Sequence, residues 1–229
     1  MKMRTFAAVA ALLVSTSAAA LTVREETFHC PIDGEVFKQV VAMSGTSFGT
    51  HLDLKPFGPI AAPWPLPVCP TSGFVMYRAN FKPEEIDRLR EYVASNEYVK
   101  AREETPYYRT AKLRERMGES TAAIAYTLLR ATWETRSAEQ YARYAREALA
   151  AYRKALEQMT RDDKAWPTAE LVAGELERRL GLFDEARARF ERAKNVEVLQ
   201  SGVYPRIIDF QLELIAERNT KSHQVPRGK

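Results

Sequence analysis

The residues with the most chemical potential in this chain are two cysteines in a repeated setting. Cys30-Pro31-Ile32-Asp33-Gly34 and Cys69-Pro70-Thr71-Ser72-Gly73 both read Cys-Pro-x-x-Gly. A zinc knuckle of this kind carries a second cysteine at the fourth position, so that two knuckles supply four thiolates to a tetrahedral metal. Asp33 and Ser72 stand at those positions here. Two thiolates, one carboxylate and a neutral hydroxyl form a poor structural zinc site, and a Cys30–Cys69 disulfide is the expected replacement. Closing that loop of about 40 residues contributes roughly 4 kcal/mol in the chain-entropy picture. Two alternatives stay open: a metal held by Cys30, Asp33, Cys69 and a histidine, and a redox-active or free thiol. Neither site has the Cys-x-x-Cys spacing of a thioredoxin-type centre.

Other reactive side chains are weaker candidates. Gly45-Thr46-Ser47-Phe48-Gly49 matches the Gly-x-Ser-x-Gly elbow of serine hydrolases, but that elbow needs a strand before the serine, a helix after it and a large α/β sheet. The next residues, Thr50-His51-Leu52-Asp53-Leu54-Lys55-Pro56, make no helix. His51 and Asp53 share one side of an extended segment and read as a polar loop contact. His29 is either a strand residue or a metal ligand beside Cys30, and His223 sits in a polar tail. There is no phosphate loop, dinucleotide fingerprint or His-Glu-x-x-His. The expected inventory is therefore no catalytic residue, no metal set and no cofactor.

The elements around these residues fall into two textures. Thr27–Cys30 and Glu35–Val41 are β-branched and aromatic enough for a hairpin, and Gly73–Tyr77 for a third strand. Between them Ser44–Pro67 is rich in Pro and Gly, which predicts an extended loop. After Phe81 the pattern is helical, beginning at Lys82-Pro83-Glu84-Glu85 with Pro and acids in the first turn. Further helix starts are expected near Glu119, Ala138, Thr168, Asp184 and Val203. The predicted fold class is α+β, mostly α, with a small β-hairpin and knuckle head over residues 21–81. An antiparallel helical-pair region occupies residues 82–218, then a basic disordered tail residues 219–229.

Leu180 to Ala193 is similar to the second half of a tetratricopeptide repeat, with Gly174 seven residues before Gly181 as the small residue for close helix contact. Ala148–Ala155 repeats the same Ala, aromatic, Ala spacing, and Val203–Arg218 reads as a capping helix. Stacked pairs of this kind present a concave surface made mainly by the first helix of each pair. Tyr126, Arg130, Glu175, Arg178 and Arg179 are the partner-binding candidates on it, the two arginines being suited to a carboxylate or acidic peptide. The paired knuckles, the strands beside them and the helices after them resemble the bacterial family called domain of unknown function 2225, over roughly Phe28 to Ala193. Its members typically carry two cysteines in each knuckle, which suggests zinc; Asp33 and Ser72 depart from that pattern. The resemblance implies an architecture and no established activity.

Residues 1–20 have the form of a signal peptide: Lys2 and Arg4, an apolar run from Phe6 to Val14, and Ala18-x-Ala20 as a cleavage site. The run is too short to span a bilayer, so no stable membrane insertion is expected. Cleavage after Ala20 would deliver a periplasmic or secreted protein, an oxidising setting that suits the disulfide. The 229 residues are 45% hydrophobic and 28% charged, which excludes a disordered or fibrous chain. Their formal charge of +4 comes from the ends, since residues 81–218 carry 25 acids and 25 bases. A neutral body has no field to attract nucleic acid. The function expected is binding of an envelope protein or peptide by the helices, as an adaptor or assembly factor and not an enzyme. The alternative is an envelope enzyme or metal-dependent module using the Ser44–Cys69 loop and the knuckles. No feature sets an oligomeric state.

Overall fold

Alternating apolar and polar residues between Thr22 and Ser44 build a two-stranded antiparallel ribbon. β1 (Thr22–His29) pairs with β2 (Val36–Ser44), with Phe28 opposite Phe37 and Glu25 opposite Val40. The two phenyl rings stack at 5.6 Å. The computed structural model describes residues 21–228, and the expected signal peptide lies outside the described residues. Residues 46–59 are less irregular than their prolines suggest. β3 (Gly49–Thr50) pairs with β4 (Pro56–Phe57) around a turn in which the Leu54 amide donates to the His51 carbonyl. Gly73–Tyr77, expected as a third strand, joins no sheet. Val75 meets Val68 in a single bridge, because Pro65, Pro67 and Pro70 on the facing segment have no N–H to donate.

The chain is mostly helical from Pro83 onward, and the fold is α+β, mostly α. The helices are α1 (Pro83–Val93), α2 (Asn96–Ala101), α3 (Pro106–Met117), α4 (Thr121–Thr132), α5 (Ala138–Gln158), α6 (Trp166–Arg179), α7 (Phe183–Ala193) and α8 (Tyr204–Ala216). The starts of α1 and of α4 to α8 lie within two residues of those expected, because the caps are local, while α2 and α3 begin where no start was expected. Ser120 and Ser137 accept N–H bonds from Ala123 and Gln140, while Pro83, Pro106, Pro167 and Pro205 occupy first turns where a missing N–H costs nothing. From α3 to α8 each helix packs on the next, and α6 also touches α8. No described helix is long and apolar enough to cross a membrane.

Three apolar clusters hold this stack. One joins α3 to α6 around Tyr144, Leu129 and Leu176, and another joins α6 to α8 around Phe190, Leu199 and Ile208. The third combines Cys30, Ile32, Cys69, Phe74 and Val75 of the head with Leu89, Tyr98 and Leu113 of the helices. The head therefore shares its core with α1–α3.

α6 is buried on nearly every side, although it carries Glu170, Glu175, Glu177 and Arg178. A buried charge survives only when paired. Arg189 of α7 donates to Glu170 and Glu177, and Arg153 of α5 adds a second cation on Glu177 at 2.9 Å. Burial raises the Glu177 pKa, but these arginines outweigh it and hold the carboxyl below its usual range.

Gly174 lets α7 approach α6. A methyl group there would lie 2.4 Å from Cζ of Phe190, which is itself fully buried. Gly174→Ala therefore reverses the usual helix-propensity gain of about 1 kcal/mol and costs about 1–3 kcal/mol. Urea unfolding should show the lower midpoint, and the companion change Phe190→Leu should recover part of it.

Candidate functional site

The two knuckles form one structural unit. In each, the cysteine amide donates to the carbonyl five residues on (Glu35, Phe74; 2.8 and 2.9 Å), and the glycine amide donates back to the cysteine carbonyl. Gly34 and Gly73 have φ of 77° and 68°, a left-handed conformation that explains the fifth position of the motif. Asp33 and Ser72, which replace the second cysteines, accept the N–H of Glu35 (3.0 Å) and Phe74 (3.4 Å). Their oxygens cap the turns. Cys30 and Cys69 are bonded to each other with Cα atoms 5.7 Å apart, and both are buried. Among the described residues, no three of His, Cys, Asp and Glu gather in a metal-binding arrangement.

The hydrolase-like residues do not converge. Ser47 donates to the Gly49 carbonyl within its own turn. Asp53 accepts the Lys55 amide and lies 3.6 Å from Arg179. His51 meets Ser222 through Nδ1 at 3.1 Å, and His29 pairs across the ribbon with Val36.

The partner-binding candidates divide into two groups. On α4, Tyr126 is 45% exposed, and the Arg130 guanidinium lies 4.4 Å from the Tyr107 ring centre and 5.6 Å from that of Tyr126. On α6, Glu175 and Arg178 are 0% exposed, and Arg179 packs over the Tyr141 ring at 4.3 Å. This corrects the expectation that Glu175 and Arg178 face an open groove, because other parts of the same chain fill that space. Arg178 Nη2 donates to both carboxylate oxygens of Glu175 (2.9 and 2.7 Å), and Nε donates to Glu175 and to Gln211 Oε1 of α8 (3.1 and 2.9 Å). Gln211 Nε2 donates to Glu175 at 2.8 Å. Burial pushes the Glu175 carboxyl upward, and the Arg178 charge opposes it.

The remaining Arg178 donors hold the tail. Nη1 donates to the Asn219 carbonyl and Nη2 to that of Lys221 at 3.0 Å. Of residues 219–229, expected to be disordered, 219–225 are held in place by the Arg178 side chain and by the main chain of Thr50 and Leu52. α8 ends where Arg218 turns into the left-handed region (φ 51°), with its guanidinium 4.7 Å from the Phe183 ring. The Leu52 amide then donates to the His223 carbonyl and the Val225 amide to the Thr50 carbonyl, both at 2.9 Å, so His51 and Gln224 form an antiparallel bridge. The tail thus adds to β3 on the side away from β4. Only Val225 marked it in the sequence, as the one aliphatic side chain outside proline in residues 219–229. No protein-family model, curated protein or solved structure matches the chain.

The buried arginine and the docked tail can each be tested. Arg178→Ala leaves Glu175 buried without its cation and costs about 3 kcal/mol; Arg178→Lys does not restore it, because an ammonium cannot make the same fork of bonds. Denaturant unfolding measures both. Acid should loosen the tail. His223 donates from Nε2 to Asn219 at 3.2 Å and meets Phe210 edge-on, with Arg178, Arg179, His51 and Glu217 as the charged or titratable groups around it. Burial and then the two arginines lower its pKa. The docked tail favours neutral His223, so docking is complete above the free histidine value of about 6.5 and is lost below it, as pH falls through the lowered pKa of the docked form. Amide exchange at Val225, corrected for intrinsic rate, should quicken between pH 7.5 and 5.5, and His223→Gln should flatten the response.

Proposed function

We propose that this chain is an exported adaptor or assembly factor that binds another envelope protein or peptide through tetratricopeptide-like helices. One observation carries the reading: Arg178 of α6, together with the main chain of Thr50 and Leu52, already holds a peptide segment through backbone groups that any sequence offers. The buried disulfide suits an oxidising compartment, and the neutral helical body suits a protein partner better than a polyanion. The exposed Tyr126 and its neighbour Arg130 extend the candidate surface along α4. The paired turns followed by helices keep the resemblance to domain of unknown function 2225 as a proposal about ancestry.

Photo-crosslinking in the native host tests this. A photoreactive residue at Ile207 or Tyr126 should give a defined adduct in the envelope fraction, and one at Val36 on the ribbon should not. Equal labelling from all three positions, or none, overturns the reading, as does recovery of the chain from the cytoplasm.

A further inference from the structure

The tail does not fill the site it occupies. Among the described tail residues, Val225 alone lines a mostly apolar cavity whose walls include Leu52, Leu54, Leu171, Val172, Tyr204 and Ile207. About 210 Å³ of space remains there with Val225 in place. Apolar walls without a filling side chain lose their dispersion contacts, so a larger apolar group gains at this point what valine leaves unused. The polar part of the site is independent of sequence: Arg178 receives the carbonyls of Asn219 and Lys221, and Thr50 and Leu52 pair with the backbone at Val225 and His223.

We infer that this groove takes an extended peptide segment bearing a bulky apolar side chain in the place of Val225, and that residues 219–225 are a built-in competitor which the partner displaces. The inference rests on the adaptor reading and names the chemistry of its partner. The partner adds to β3 as a strand, its carbonyls four and six residues before the anchor fall on Arg178, and a Phe or Leu side chain enters the cavity. The tail shares the first two features and is weaker in the third. An acidic residue at the anchor position does not fit, since none of the lining residues, Thr50 and Thr168 included, offers it a charged partner.

Anisotropy titrations of the full chain test this, with labelled synthetic peptides of residues 219–228 in native form and with Val225→Phe. Three chains are compared: the unaltered one, Val225→Asp to loosen the tail, and an oxidised His51→Cys/Gln224→Cys double variant to lock it. His51 and Gln224 form a non-hydrogen-bonded pair, whose Cα spacing of about 4.5 Å lies inside the disulfide range. The expected order has the Val225→Phe peptide binding the unaltered chain about tenfold tighter than the native peptide. Val225→Asp should bind both about tenfold tighter than the unaltered chain, as an apparent affinity limited by the open fraction requires. The locked chain should bind neither.

Equal affinity of the two peptides, no gain in folded Val225→Asp, or undiminished binding by the locked chain each overturns the inference. If Val225→Asp does not fold, the unaltered and locked chains alone decide. The adaptor reading can fail separately: peptide binding in the expected order without any envelope adduct leaves the groove but removes the adaptor. An adduct that forms equally with the locked chain does the reverse.

Discussion

The guanidinium of Arg178 is the point on which the C-terminal half of the molecule turns. It is buried completely, so its donors must all find acceptors inside the protein, and the acceptors come from four places: Glu175 on its own helix, Gln211 on α8, and the carbonyls of Asn219 and Lys221. The interaction is worth little as net stability, because desolvating a charge costs about as much as pairing it returns. What it contributes is a link: the same buried charge bonds α6 to Gln211 of α8 and to two carbonyls of the tail.

The same logic extends along α6. A helix buried on most faces would ordinarily be apolar all round, yet this one carries four buried charges. Arg189 and Arg153 reach Glu177 from α7 and α5, so the pairs bind α6 to its neighbours on both sides while Gly174 sets the closeness of α7. Apolar residues in these places could give a comparable stability. They would not specify which turn of α7 faces which turn of α6, since slipping by one turn leaves an apolar contact nearly unchanged but strands a carboxylate.

Local features of this fold were legible in the sequence and relational ones were not. Helix starts could be read from Pro, Ser and acidic residues because a cap depends on three or four neighbours. Both knuckles, their glycines and their cysteine pairing could be read for a similar reason, since a turn carries its own signature. Glu175 and Arg178 misled because charges three residues apart on a helix have the pattern of a solvated face, and only the arrival of Gln211 and the tail shows them buried. The same limit applied to residues 219–225. Their polar composition gives no core to pack, and what orders them is backbone pairing with residues more than 160 positions earlier, which no composition reveals.

The left-handed turn at Arg218 puts the tail directly beside the groove without a linker. A segment tethered so closely is present at its site at an effective concentration on the order of millimolar or higher, whatever the concentration of the protein. Any free peptide meets that constant competitor, so abundance alone does not admit it. The groove therefore works as a threshold device: backbone-only binders, which the tail matches bond for bond, are held out at ordinary cellular levels. Occupancy registers only the ligands that bring something the tail lacks.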